Sequence, residues 1–365
     1  MIKSNIVKVF DKFTSIIAKF VSRSKIENKV LHVSYNVHIA INTKTILNNN
    51  GVNAHYMSIG KFNGHESDFH ISLSKNPLIR VYQELKAFRI ISKYKVVHTH
   101  FGLMPSRTGW EYKLLKKRGI KVVYHARGCN SRDWQKNFKL QPDPLKNICF
   151  DCDYNKVPCS NYIGNIRRTN ALKVSDRVIA TTPDLIDFLP SGAEHMPFFS
   201  PDVESEEWRP FDFSNGVNII HVTNHPGIEG TSEIVKAIDE LKKEGLKINF
   251  EFLQNVPHHE YISKLKNAHL NIGKMKMGYY ANAQIESMAH GVPAITYIRD
   301  EYLNSKLVDS ALIICNLHTL KQTIRDYVNN KDMILDKRSK CKDTISLLHN
   351  NKALSKQYSR IYNSF

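Results

Sequence analysis

Short apolar runs of strand character alternate with amphipathic helical stretches from Lys29 onward. That alternation restricts the chain to parallel sheets covered by helices on both faces. KVLHVSY reads as a strand, residues 39–50 as its helix ended by Gly51, and VNAHYMSI as the next strand. A helix over 78–91, the strand KVVHTHF, a helix over 108–117 ended by Gly119 and the strand IKVVYHA follow. RVIATT closes this series, and Pro183 opens a short helix after it. Residues 196–215 hold several prolines, a cluster of acids and no periodicity, so they read as a linker. A second series begins at NIIHVT and continues through a helix over 232–243, KINFEFL, a helix over 259–267, LNIG, a helix holding Glu286, AITYI and a terminal helical region. The 365 residues exceed one ordinary core. The expected division is an N-terminal helix at 1–28, two doubly wound units at 29–205 and 206–345, and a C-terminal helix at 346–365.

Doubly wound sheets bind ligands beyond the carboxyl ends of their strands. In the first unit that place selects Tyr35, Asn36 and His38, then His98, His100, Phe101 and Gly102, then His125, Arg127 and Gly128. In the second it selects Thr223, Asn224, His225 and Lys274. One histidine at a strand end is usually structural, but three ends carrying histidine point to a shared cleft. His125, followed by Arg127-Gly128 where the backbone must turn, stands out among them.

The formal net charge of +18 favours anionic partners: nucleic acid, an anionic membrane or phosphorylated small molecules. Its basic residues are dispersed and no nucleic-acid reading module is recognisable, which argues against nucleic acid. Residues 2–21 place Ile2, Ile6, Phe10, Phe13, Ile17 and Phe20 at helical spacing with Ile16 and Val21. Lys3, Lys8, Lys12, Lys19, Arg23 and Lys25 accompany them against Asp11 alone. Such a helix suits the headgroup layer of an anionic leaflet, or packs on its own protein or a second subunit. No apolar run is long enough to span a bilayer, and no signal-peptide pattern opens the chain. The expected location is the cytoplasm, peripheral on the inner face of the plasma membrane. Cys149, Cys152 and Cys159 cluster, with Cys129 upstream. One C-x-x-C without a second pair reads first as a loop of reduced thiols, with a bracing zinc site as the alternative. No Walker-type or G-x-G-x-x-G loop occurs, so ATPase and dehydrogenase readings lack their central element.

The stretch GYYANAQIESMAHGVPAITYIRDEY resembles the retaining, "group 1" branch of the GT-B glycosyltransferases, whose second domain carries the pattern E-x-M-A-x-G-x-P. Glu286, Met288, Ala289, Gly291 and Pro293 match it in register. VTNHPGIEGTSEIVKAIDEL is similar to the strand, turn and helix of that family, and VVHTHFG and VVYHARGCNSRD are similar to segments flanking its acceptor side. The likeness runs over residues 30–345. It implies two facing Rossmann-like α/β domains with a cleft between them. By resemblance Glu286 receives the vicinal ribose hydroxyls, which a carboxylate can accept together. The phosphates would lie over the helix after Gly230 and Thr231, with Lys274, Asn224, His225 and Tyr279 completing the donor side. His125 would face the transferred sugar with Arg127 beside it, and Asn36, His38, His100 and Gly102 would meet the acceptor.

Two departures stand against the family pattern. An earlier acid falls at Gly278, within Met277-Gly278-Tyr279-Tyr280, and a basic residue expected before the Gly-Thr pair is Glu229. A carboxylate there repels phosphate unless it points away. Lys274 and Lys276 are the expected compensation, so Lys274→Ala should cost more activity than Glu229→Ala. Asp151-Cys152-Asp153 formally spells the D-x-D of metal-dependent transferases, but it lies in the cysteine loop. The implied reaction is sugar transfer from a nucleotide-sugar to a glycan or lipid-linked glycan in surface polysaccharide synthesis, retaining, with neither metal nor other cofactor. The competing reading is a non-catalytic nucleotide- or glycan-binding subunit of a larger assembly.

Overall fold

The computed structural model describes residues 2–21, 25–201 and 207–365, without the side chains of residues 2–6 and 21. Seven strands form the first sheet: β1 (Glu27–Tyr35), β2 (Ala54–Ile59), β3 (Phe69–Ile71), β4 (Tyr94–His100), β5 (Lys121–Ala126), β6 (Arg177–Ala180) and β7 (Glu194–His195). Their order is β3-β2-β1-β4-β5-β6-β7. Five strands form the second: β8 (Val217–Val222), β9 (Ile248–Leu253), β10 (Leu270–Ile272), β11 (Ala294–Thr296) and β12 (Leu312–Ile314), in the order β12-β11-β10-β8-β9. Every paired register is parallel. Each sheet reverses direction beside its first strand, at β1/β4 and at β8/β10, and such reversals open a crevice beyond the strand ends.

Central strands carry consecutive apolar residues because helices cover both faces, as at Val96–Val97 and Ile219–Ile220, all nearly fully buried. Three helices matter early: α1 (Ile2–Val21), α2 (His38–Asn49) and α3 (Pro77–Ile91), the last capped by the Asn76 side chain with Pro77 in its first turn. Strands β3, β7 and β12 were not expected. Each is two or three residues long at or near a sheet edge, too short for a pattern to show. The helix Tyr162–Val174 was also missed, because only Ala171 along it is buried and no apolar stripe marks it.

The helix Asn282–Ala289 ends as the motif demands. Gly291 adopts φ +74° and donates to Met288 O at 3.0 Å, while Val292 donates to Ser287 O at 2.9 Å. A Cβ on Gly291 would lie 2.3 Å from the Trp208 ring, so the glycine also admits the indole that packs there. In the linker, residues 202–206 lie outside the described residues. The final helix, Asn351–Asn363, leaves the second unit and returns to the first, where Leu354, Tyr358, Ile361 and Tyr362 pack with Val30, Leu47, Val96, Val123 and Ile179.

Candidate functional site

A cleft of about 1710 Å³ separates the two sheets. Tyr35, Phe101 and Arg127–Asn130 wall it from the first unit, and His225, Glu229, Lys274 and Ala281–Ala283 from the second. A smaller cavity of about 240 Å³ adjoins it and shares Ile39, Arg127, Phe198 and Asn282. Glu286 opens into this smaller cavity from the second unit, facing His38 at the start of α2. Its side chain is 19% exposed, and its Oε1 lies 3.2 Å from Nε2 of His258. That bond to the carboxylate raises the pKa of His258 above its ordinary value. The His38 and His258 rings lie 5.6 Å apart, and burial foremost lowers the pKa of His38. The carboxylate thus stands at the seam between the units with a histidine from each beside it.

Arg127 lies just beyond the end of β5 and lines both cavities. Its Nη2 makes one long bond to Thr43 Oγ1 at 3.4 Å, and its Nε and Nη1 have no partner among the described residues. Burial lowers its pKa to about 10. A cation without a counter-ion on a cleft wall has the chemistry to take an anion through charge-assisted bonds.

His125 is fully buried and does not line the cleft, contrary to expectation. Its Nδ1 bonds Nε2 of His98 at 2.9 Å, and His98 Nδ1 meets the Tyr362 hydroxyl at 2.7 Å. His100 is likewise buried, its Nε2 3.0 Å from Nδ1 of His32. The cause is register: His32 pairs with His98 and His100 with His125 across neighbouring strands. All four therefore share the sheet face that the returning helix covers. Burial drives their pKa values down, to about 3 for His32 and well below normal for the others, so the layer is neutral. His32, His98 and His100 come close enough to share a metal ion. Their rings nevertheless stack within 20–29° of parallel, which aims their lone pairs side by side, and the Arg127 charge acts against a cation there.

Other expected contacts are also occupied. Asn36 is buried and holds the following loop, donating to His65 O at 2.7 Å and accepting from Asn63 N at 2.8 Å. Asn224 accepts from Asn255 N at 2.8 Å, and Thr231 turns its hydroxyl to His221 Nε2 at 2.8 Å. Tyr279 is buried against Tyr280, ring centroids 4.6 Å apart. Gly102 and Gly230 both take positive φ. Gly102 abuts the Tyr124 ring, where a Cβ would sit at 2.7 Å. The cysteines are free thiols, and Cys149, Cys152 and Cys159 do not form a group at metal-sharing distance among the described residues.

Lys274 lines the cleft but forms an ion pair with Glu229. The expected charge compensation therefore operates on the Glu229 carboxylate itself. Lys276, 1% exposed, bonds Asp151 at 2.5 Å and Glu233 at 3.0 Å, so it is not open to a ligand. Asp153 accepts from Gly227 N at 3.1 Å and Ile228 N at 2.9 Å, and the Tyr154 hydroxyl meets His225 Nε2 at 2.6 Å. The cysteine loop of the first unit is thereby fastened to the second. At Gly278, φ is +86° and a Cβ would lie 2.6 Å from Arg299 Cδ. Arg299 in turn bonds Asp187 of the first unit at 2.6 Å. This arginine fills the space that any side chain at position 278 would need. Arg299, His258 and Tyr154 escaped sequence reasoning, since none belongs to a motif at a strand end, and Asp153 stood out only as part of a D-x-D pattern in the cysteine loop.

Two doubly wound parallel units facing across a cleft, with a last helix returning to the first, are the GT-B glycosyltransferase fold. The chain is similar over 93% of its length to sucrose-phosphate synthase from Thermosynechococcus elongatus (99% of that chain, TM-score 0.63, 14% identity). It is similar over 92% to an alpha-glucosyltransferase in complex with UDP and a mismatched 13-mer DNA (100% of that chain, TM-score 0.62, 11% identity). It is also similar over 93% to the catalytic domain of starch synthase IV from Arabidopsis thaliana, bound to ADP and acarbose (99% of that chain, TM-score 0.58, 10% identity). At these identities the likeness is one of fold. No family model and no curated protein matches the sequence.

Proposed function

We propose that this chain is a glycosyltransferase moving a sugar from a nucleotide-sugar to a glycan or lipid-linked glycan acceptor in surface polysaccharide synthesis, with retention and without a metal. The observation that carries the reading is the pairing of Glu286 with an uncompensated Arg127 around the joined cavities. The carboxylate accepts the ribose hydroxyls, and the guanidinium takes the diphosphate through charge-assisted bonds. Lys274 joins it by exchanging Glu229 for phosphate. Stabilising the leaving diphosphate and positioning the acceptor then carry the catalysis. The fold supports this reading, and so does the register of Gly291 and Pro293 with Glu286. A thermal-shift panel of nucleoside diphosphates and nucleotide-sugars tests it, with Glu286→Ala as control: binding that ignores the substitution overturns the assignment.

One observation favours the second reading, a non-catalytic nucleotide- or glycan-binding subunit. Carboxylates of Glu229 and Asp153 stand on the phosphate side, and both nearby lysines are already paired. Donor hydrolysis without acceptor separates the two, because a binder releases no free nucleoside diphosphate.

A further inference from the structure

The helix α1 is seated on a few small or short side chains, and its large apolar ones are left outside. Asp11, Thr14 and Ala18 are buried against the protein, and the Asp11 carboxylate accepts from Thr108 N at 2.9 Å and from the Thr108 hydroxyl. Val9, Phe10, Phe13, Ile16 and Phe20 face outward, with Phe20 72% exposed. A helix held only by self-packing buries such a stripe; here the stripe is what the fold leaves out. The neighbouring α3, on which α1 packs, adds Leu78, Ile79 and Tyr82, all at least half exposed.

Charge on this face is one-sided. The carboxylates of α1 and α3 are Asp11 and Glu84, and both are buried. Lys8, Lys12, Lys19, Lys86 and Arg89 are exposed on the same two helices. Aromatic and aliphatic groups ringed by cations match an anionic headgroup layer, with rings at the acyl boundary and ammonium groups at phosphate level. Two copies meeting face to face would oppose like charges, which argues against self-association. No described helix is long and apolar enough to cross a bilayer, so the geometry is that of a helix lying on a surface. Val7 of α1, with Lys75, Pro77 and Arg107 beside it, also lines the large cleft that ends at Glu229 and Lys274.

We infer that the outward face of α1 and α3 docks the protein on an anionic lipid bilayer, with the mouth of the cleft opening beside the lipid. The inference deepens the transfer reading above by fixing which side of the molecule receives a lipid-linked acceptor. The bilayer is recognised by the aromatic row, and its anionic character by the lysines. No residue placed around Glu286 or Arg127 takes part.

Flotation of the full chain with vesicles of phosphatidylcholine alone, and with one-third phosphatidylglycerol, tests it. The expected result is binding to the anionic vesicles that weakens with salt, and at least tenfold weaker partitioning for Phe13→Glu/Phe20→Glu. Lys12→Glu/Lys19→Glu should lose the preference for phosphatidylglycerol. These side chains are exposed, so unchanged thermal unfolding should accompany each variant. Equal partitioning of the aromatic variant overturns the inference. So does a wild-type chain that ignores both vesicles, or one that sediments as a dimer dissolved by the same substitution. Nucleoside diphosphate binding, measured on the same proteins without vesicles, should not change. If it is absent throughout, the transfer reading fails while the vesicle result still decides the docking.

Discussion

Arg127→Met separates what a residue contributes to folding from what it contributes to binding. In the folded chain the guanidinium is buried without a counter-ion, and its pKa falls from 12.5 to about 10. At about 1.36 kcal/mol per pH unit, holding that charge costs the fold about 3 kcal/mol. Water in the cleft screens part of this and leaves ~1–3 kcal/mol. The sign follows from linkage: a base whose pKa is depressed on folding penalises the fold at every pH below its folded value, so the cost is constant through the neutral range. Methionine keeps much of the stem and removes the charge. The unliganded variant should therefore unfold at a temperature higher by ~2–4 °C. Its affinity for the nucleoside diphosphate that the wild type binds should fall ~10- to 150-fold, the worth of losing charge-assisted bonds of ~1.5–3 kcal/mol. Differential scanning calorimetry and titration calorimetry read the two quantities. A lower melting temperature, or an unchanged diphosphate affinity, would refute the assignment of Arg127 as a cation kept free for an anion.

Glu286→Gln should lower the pKa of His258, followed by histidine ring-proton NMR, because the carboxylate bond is the main cause of its elevation. In the wild type that pairing contributes stability at low pH and loses it as pH rises through the elevated pKa. Gly278→Ala should lower stability by ~1–3 kcal/mol in thermal unfolding, from the positive φ and from the displaced Arg299. Lys274→Ala should reduce donor turnover more than Glu229→Ala, since it removes a cation and leaves the Glu229 carboxylate buried alone. Equal losses in steady-state rates would show that the pair acts only in packing.

The order of strands and helices was legible because period and punctuation survive in single segments. The helix holding Glu286 was legible for the same reason: one turn geometry binds Gly291 and Pro293 to its end. Which strand-end residues face the cleft was not legible. His98, His100 and His125 stand near the carboxyl ends, as expected, yet they lie on the face roofed by Tyr358 and Tyr362, which come from the far end of the chain. Arg127 reaches the cleft because it sits past the last paired residue of β5. The Arg299–Asp187 and Asp153–Gly227 contacts join segments with no shared pattern, and only the assembled fold brings them together.

The return of the last helix also bears on how the molecule is made. The first unit cannot complete its core when its own strands emerge, because Leu354, Tyr358, Ile361 and Tyr362 follow the whole second unit in the sequence. The histidine layer waits, uncovered, for that helix. The half translated earliest thus has its core closed by the residues translated last.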